Sequence, residues 1–279
     1  MRKTLYAAGL SLLLTGVIVS CKKAPADDVN PNALTQTERG LVAAAGFNSN
    51  WAERTADGNY LIEGDVVVTK AQLTEMAGAT PSNFIIVGNE EHYRTFNVVN
   101  TGGGVRTITV SLGAGFPAYY STALDNALAR YNNIAGLTIN FQRVASGGEI
   151  AITGANLGTS GGGCILGQAS GFPTSSGNPS PGFTLSTSSC ATTYLNTVDK
   201  ADEVMAHEIG HCIGFRHTDY KRRASCGPGG GESAGTIGAV WIPGTPTNVS
   251  GSYNSWMMAC TNGSPLFNGD DVIALQYVY

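Results

Sequence analysis

The sequence predicts an α+β fold: a sheet packed against helices, with a further helix at the C-terminus. Three observations predict it. Beyond residue 104 the pattern runs strand, helix, strand, strand, the order of a sheet covered by a helix. A second helix, "TVDKADEVMAHEIGHCIG", has acids in its first turns, which suits the helix dipole, and stops at Gly214. A terminal helix reads out of "DDVIALQYVY".

The chain has 279 residues, of which 42% are hydrophobic and 13% charged. That is enough for one large domain or two modest ones, with roughly half the usual charged share. The formal charge is −4 and no basic run or aromatic-basic interleaving occurs, so nothing points to nucleic acid. Residues 1–20 read as a signal: Arg2 and Lys3, then the apolar run "LYAAGLSLLLTGVIV". Ile18, Val19, Ser20 and Cys21 resemble a bacterial lipobox, which implies a lipid on the Cys21 sulfur. Residues 21–35 are polar and carry prolines, as a tether does.

Residues 36–103 form a separate N-terminal region. "TERGLVAAAGF" predicts a short helix, and "YLIEGDVVV" is rich in β-branched residues around Gly64-Asp65. Thr69 and Gln72 have capping-box spacing ahead of a second short helix. "NFIIVG" predicts a strand, and the glycines of "NTGGGVR" set a boundary at 103/104. "RTITVSL" then alternates as a strand should. "PAYYSTALDNALARYNNIAG" spaces Tyr120, Leu124, Ala127, Leu128 and Tyr131 along one helix face, with Pro117 near its start and Gly136 past its end. "LTINFQRV" and "EIAITGANL" are strands. A Gly/Ser/Pro-rich loop over 158–181 precedes a short strand in "GFTLSTS" (182–188), expected at a sheet edge.

Lipidation of Cys21 leaves five cysteines. Cys164 and Cys190 bracket the long loop and are the expected pair. For the rest, spacing leaves two pairings open: Cys226 with Cys260 and Cys212 free, or Cys212 with Cys260.

The four histidines are His92, His207, His211 and His217, and three of them fall within eleven residues. On a helix, His207 and His211 lie one turn apart on one face and can direct two imidazoles at one ion. Zinc accepts such nitrogens and prefers four ligands, one left open in a catalytic site. His217 would point about 240° away if the helix continued. Gly214 permits the turn that brings it back. Glu208 points elsewhere and suits a general base.

"HEIGHCIGFRH" matches HExxHxxGxxH, the metzincin signature, and "SWMM" (255–258) resembles the Met-turn. With "HTDY", "IPGTP" and "NSWMMAC" the sequence most resembles the bacterial dual-action HEIGH metallopeptidases. The resemblance is strong over 104–279 and looser upstream. It implies a metzincin-like zincin domain, a twisted mixed sheet with two main helices plus a C-terminal helix, preceded by a small prosegment, with an edge strand that takes extended substrate by β-addition and one zinc on His207, His211 and His217. "GFTLSTS" is the candidate for that strand. Met257, or alternatively Met258, would lie beneath the metal. Ala259 stands where some families carry a ligating tyrosine, so no fifth ligand is expected. Asp219 would orient a ligand or cap a turn.

The prosegment 36–103 lacks cysteine. "LIEGDV" resembles the aspartate switch of astacin prosegments, with Asp65 as latency ligand; the alternative is a strand broken by a Gly-Asp turn. Arg106 is the expected processing position. His92 reads as an ordinary surface or turn histidine. "NGDD" (268–271) has oxygen donors for calcium, but a helix N-cap is preferred and calcium is not supported. The sequence thus predicts a zinc endopeptidase of the bacterial envelope. It would be a monomer, lipid-anchored, expected at the outer membrane, and facing the periplasm or the outside. The rivals are a non-catalytic binding module and a zinc hydrolase of a non-peptide bond.

Overall fold

One mixed sheet runs through both the N-terminal region and the rest of the chain. The computed structural model describes residues 32–78, 92–160, 162–227, 230–261, 263 and 266–279. The expected leader, Cys21, most of the tether and the "NFIIVG" strand lie outside the described residues. The N-terminal region contributes α1 (Gln36–Ala44), β1 (Ala52–Arg54), β2 (Tyr60–Ile62), β3 (Val66–Val68) and α2 (Lys70–Gly78). Next come β4 (Tyr93–Arg94), β5 (Arg106–Leu112), α3 (Tyr119–Asn132), β6 (Ile139–Val144) and β7 (Ile150–Ala155). The long loop holds a small ribbon, β8 (Thr159–Ser160) and β9 (Gly163–Cys164), and then β10 (Gly167–Ala169). The chain ends with β11 (Gly182–Ser186), α4 (Ser189–Tyr194), α5 (Val198–Cys212), β12 (Val240–Trp241) and α6 (Gly269–Val278).

The sheet order among the described residues is β1-β2-β3-β10-β11-β7-β5-β6. β5 pairs in parallel with β6 and β7, and β7 with β11. Alternation drives this layer: Ile108, Val110, Ile139, Phe141, Ile150, Ile152, Phe183 and Leu185 are all buried in one core with α3 and α5. The five predicted α3 positions are buried there too. Tyr131 donates from its hydroxyl to the Ala206 carbonyl at 2.6 Å, fastening α3 to the middle of α5.

β10 runs antiparallel to β11 and is the edge of the C-terminal sheet. The strand expected at that edge, "GFTLSTS", is β11, and it lies between β7 and β10. β10 has only three residues, too few for alternation to reveal, and it covers the more regular β11. Its free side is taken by β3, in parallel, through the single pair Ala169 and Val66.

The N-terminal region has its own small core, with Val42, Ile62, Val66 and Leu73 among its members. Thr69 and Gln72 cap α2 reciprocally: each backbone N–H donates to the other's side chain. Between β2 and β3 the chain turns at Glu63 and Gly64, both with positive φ.

The stretch after the undescribed 79–91 is woven into the C-terminal unit. β4 pairs with β12, Thr95 N–H donates to the Gly214 carbonyl, and Val99 N–H donates to the Tyr279 hydroxyl. Residues 93–99, on the N-terminal side of the boundary expected at 103/104, are thus tied to the C-terminal part of the chain. Arg106 opens β5 and is tied to the Gly177 carbonyl at 2.7 Å and to Glu149 at 2.7 Å, while residues 102–105 just before it are exposed. His92 is buried, at 2% exposure, and pairs with Asp271. The surface reading failed because nothing near His92 in sequence announces a partner 179 residues away.

Candidate active site

Thr197 caps α5 through Lys200 N–H, and the helix carries His207 and His211 on its cleft face. It ends as expected at Gly214, whose φ is +108°. A Cβ there would also lie 3.1 Å from Thr95 Oγ1 and 3.1 Å from the Asn97 carbonyl, so glycine is needed for space as well as for the turn. The turn swings His217 back beside the other two rings. The centroids stand 4.8, 4.9 and 5.4 Å apart.

Each ring is oriented from behind. His207 Nδ1 donates to the Trp256 carbonyl at 2.8 Å, and His211 Nδ1 to the Phe215 carbonyl at 2.9 Å. His217 Nδ1 is bonded to the Glu232 carboxylate. Engaging Nδ1 turns Nε2 of each ring toward the others, the arrangement that metal-ligating histidines use. The three Nε2 atoms and Asp65 Oδ2 all lie within 4.8 Å of one another. Asp65 Oδ2 is 2.5 Å from His217 Nε2 and 3.5 Å from each of the others. His211 Nε2 is buried without a hydrogen-bond partner.

The electrostatics favour a cation at this point. Burial opposes charge on Asp65, yet the imidazoles of His217 and His211 hold its carboxyl well below the ordinary range. Burial likewise opposes charge on His217, but Asp65 and Glu232 raise it well above the ordinary value. Glu63, Asp65, Glu232, Arg216 and Arg223 form a buried charge network behind the rings, in which burial raises the Glu63 carboxyl to about 8. Three imidazole nitrogens and one oxygen are a zinc donor set.

A family model described as dual-action HEIGH metallo-peptidase matches residues 60–279. The chain belongs to that family. Two solved structures of myroilysin are similar at 17% identity. One match covers 62% of this chain and 92% of that chain with a TM-score of 0.36. The other covers 72% and 99% with a TM-score of 0.34. No curated protein matches.

This HEIGH metallo-peptidase is therefore a zinc enzyme with a metzincin-like fold, and its cofactor is one zinc ion. Beside the histidines, Glu208 is 2% exposed and lies against Gly167 of β10. Burial first, and the charge of Asp65 second, raise its carboxyl well above the ordinary value. Met257 packs beneath α5: a Cβ on Gly210 would stand 2.3 Å from its Sδ. Met258 instead faces the cleft, a cavity of about 740 Å³ that also reaches Gly167, Val204, His207 and Glu208. Asp219 braces the Met-turn: its carboxylate accepts from Ala259 N–H at 2.9 Å and from Ser225 N–H at 2.8 Å. The Cys226–Cys260 disulfide joins the same two loops, Cys164 is joined to Cys190, and Cys212 is free and buried. Asn268 and Asp271 form the capping box of α6.

Sequence reasoning missed Glu232, Glu63, Arg216 and Arg223. Arg216 is fully buried, donates to the Gly238 carbonyl at 2.9 Å and pairs with Glu63 of the N-terminal region. The one available signal was its place inside the motif, next to His217. Glu232 sits in a glycine-rich loop and carries no local signature.

Proposed function

We propose that the enzyme is an endopeptidase whose N-terminal region holds it latent. The observation that carries this is the buried Glu208 carboxylate beside three converging imidazoles. His207, His211 and His217 are the residues that hold zinc. When bound, zinc supplies a Lewis acid that polarises the scissile carbonyl and makes water nucleophilic. Glu208 takes the proton of the attacking water and delivers it to the leaving nitrogen; its raised proton affinity suits both transfers. β10 offers an antiparallel edge to an extended substrate. Met257 supports the histidine helix from below.

Asp65 is the latency ligand. Its carboxylate reaches the imidazole nitrogens, and its carbonyl accepts from Ala169 N–H at 2.7 Å, a backbone donor that substrate would use. The strand-break reading and the switch reading describe one feature. The Glu63-Gly64 turn is what aims Asp65 inward.

Upstream, residues 1–20 are the leader, Cys21 carries the lipid, and the chain works at the bacterial envelope, expected at the outer membrane. The two disulfides support export to an oxidising compartment. Fractionation and lipid labelling of wild type against Cys21→Ser test the anchor; label retained by the serine variant would refute it.

Activity is tested by hydrolysis of a quenched peptide library by the processed chain, wild type against Glu208→Gln, with zinc measured in both. Cleavage by the wild type alone, with zinc in both, is expected. Zinc in both and cleavage in neither would turn the reading to a binding module or a non-peptide hydrolase.

A further inference from the structure

A buried pair outside the cleft reaches the histidine cluster through one residue. His92 Nε2 lies 2.9 Å from Asp271 Oδ1, and the two side chains are 1% and 0% exposed. Asp271 Oδ2 accepts from Asn268 N–H at 2.9 Å, closing the α6 capping box, and from Trp256 N–H at 3.2 Å. The Trp256 carbonyl is the acceptor for His207 Nδ1. The cap needs only Oδ2. Among the described residues, Oδ1 is bonded to His92 alone.

His92 is itself held on both sides. Its N–H donates to the carbonyl of Thr218, the neighbour of His217, at 3.3 Å, and its carbonyl accepts from Ile242 N–H at 3.0 Å. Its ring stands edge-on to Tyr253, centroids 6.1 Å apart. The residue adopts φ +62°, in the left-handed region that few non-glycine residues occupy and that histidine tolerates better than most.

We propose that His92 is a positioning residue for the zinc site. It fixes the Asp271 carboxylate, which fixes the Trp256 backbone, which orients the His207 ring. This rests on the zinc reading of the histidine cluster. It goes beyond that reading by giving the active site a member from the stretch that precedes the glycine loop. A processed enzyme must then retain His92, and a cut at 102–104 that discarded everything before it would weaken the site it was meant to open.

The test uses the full chain and cobalt as the probe. Affinity is measured by competition with a chelator, the visible spectrum reports the ligand geometry, and thermal unfolding is followed in parallel. His92→Ala should weaken cobalt binding about tenfold and shift the spectrum, as loss of a partner behind a metal ligand does. His92→Gln can still donate to Asp271 Oδ1 and should bind within about threefold of wild type. Leu275→Ala, a buried change on the same α6 with no hydrogen-bond route to His207, should lower the melting temperature and leave affinity unchanged. If His92→Ala does not fold, His92→Leu takes its place. Unchanged affinity in His92→Ala, or an equal loss in Leu275→Ala, overturns the proposal. A wild type that binds no cobalt overturns the zinc reading itself, and this proposal with it.

Discussion

Replacing Asp65 with asparagine keeps its shape and removes its charge. The carboxylate makes one contact of 2.5 Å and two of 3.5 Å with imidazole nitrogens. A hydrogen bond to a charged group contributes about 1.5–3 kcal/mol. Taking about 2 kcal/mol, and about 1.4 kcal/mol for each factor of ten, the population with Asp65 withdrawn rises roughly 30-fold. The rest of the N-terminal region stays docked through Glu63 on Arg216, the Glu63 carbonyl on Arg223 at 2.6 Å, and the Ala169 bond to the residue 65 carbonyl. The rise should therefore stop short of full activation. The assay is hydrolysis of a quenched peptide by the uncut chain, with a gel run on the same sample to show that it stays uncut. Asp65→Asn should exceed wild type by about 10- to 100-fold, and adding Glu208→Gln should abolish the gain. Activity within twofold of wild type, in an uncut chain that holds zinc, would refute the latency argument.

Three further outcomes are expected. Gly167→Ala places a Cβ 2.4 Å from Glu208 Oε1, so the carboxylate must move; kcat of the processed enzyme should fall about 100-fold with zinc content unchanged, and an unaltered kcat would sink the role given to that contact. Gly210→Ala drives a Cβ into Met257 Sδ and to 2.9 Å from Trp256 Nε1; overpacking of roughly 1–3 kcal/mol should outweigh the roughly 1 kcal/mol gained in helix propensity, seen as a lower melting temperature. Hydrogen bonds from Thr35, side chain first and backbone second, hold Glu38 at about 2 against an ordinary 4.5. A depressed carboxylate stabilises the fold above its unfolded value and ceases to do so as pH falls through its folded value. Amide protection factors in α1, corrected for the intrinsic exchange rate at each pH, should accordingly fall as pH drops from about 4.5 to 2, and Glu38→Gln should flatten that dependence.

How much of this was legible follows from how local each determinant is. The three clustered histidines lie within eleven residues, and helix geometry with one glycine turn suffices to bring them together. The same holds for α3, whose five apolar positions all reached the core, and for the Thr69–Gln72 cap. What holds the ligands in place was not legible. Two of the three Nδ1 acceptors are the backbone carbonyls of Trp256 and Phe215, which have no side-chain signature. The third, Glu232, is brought in by a loop. Strand order is also non-local: β11 read as an edge because the strand that covers it is three residues long, and β4 and β12 pair across two residues each.

Asp271 shows why a correct local reading can be incomplete. Its cap was predictable from spacing to Asn268, and the cap forms. A carboxylate has two oxygens, however, and capping engages one. The other is free for a partner that spacing cannot name, and His92 supplies it from the far end of the chain. Most buried polar side-chain atoms are hydrogen-bonded, so a capping acid that is 0% exposed favours a second partner before that partner is identified, although one buried oxygen each of Asp65, Asp202, Glu208 and Glu232 has none. A prediction of burial at a cap position is in that sense also a prediction of a long-range contact. Here the contact leads, through the Trp256 backbone, to His207 on α5.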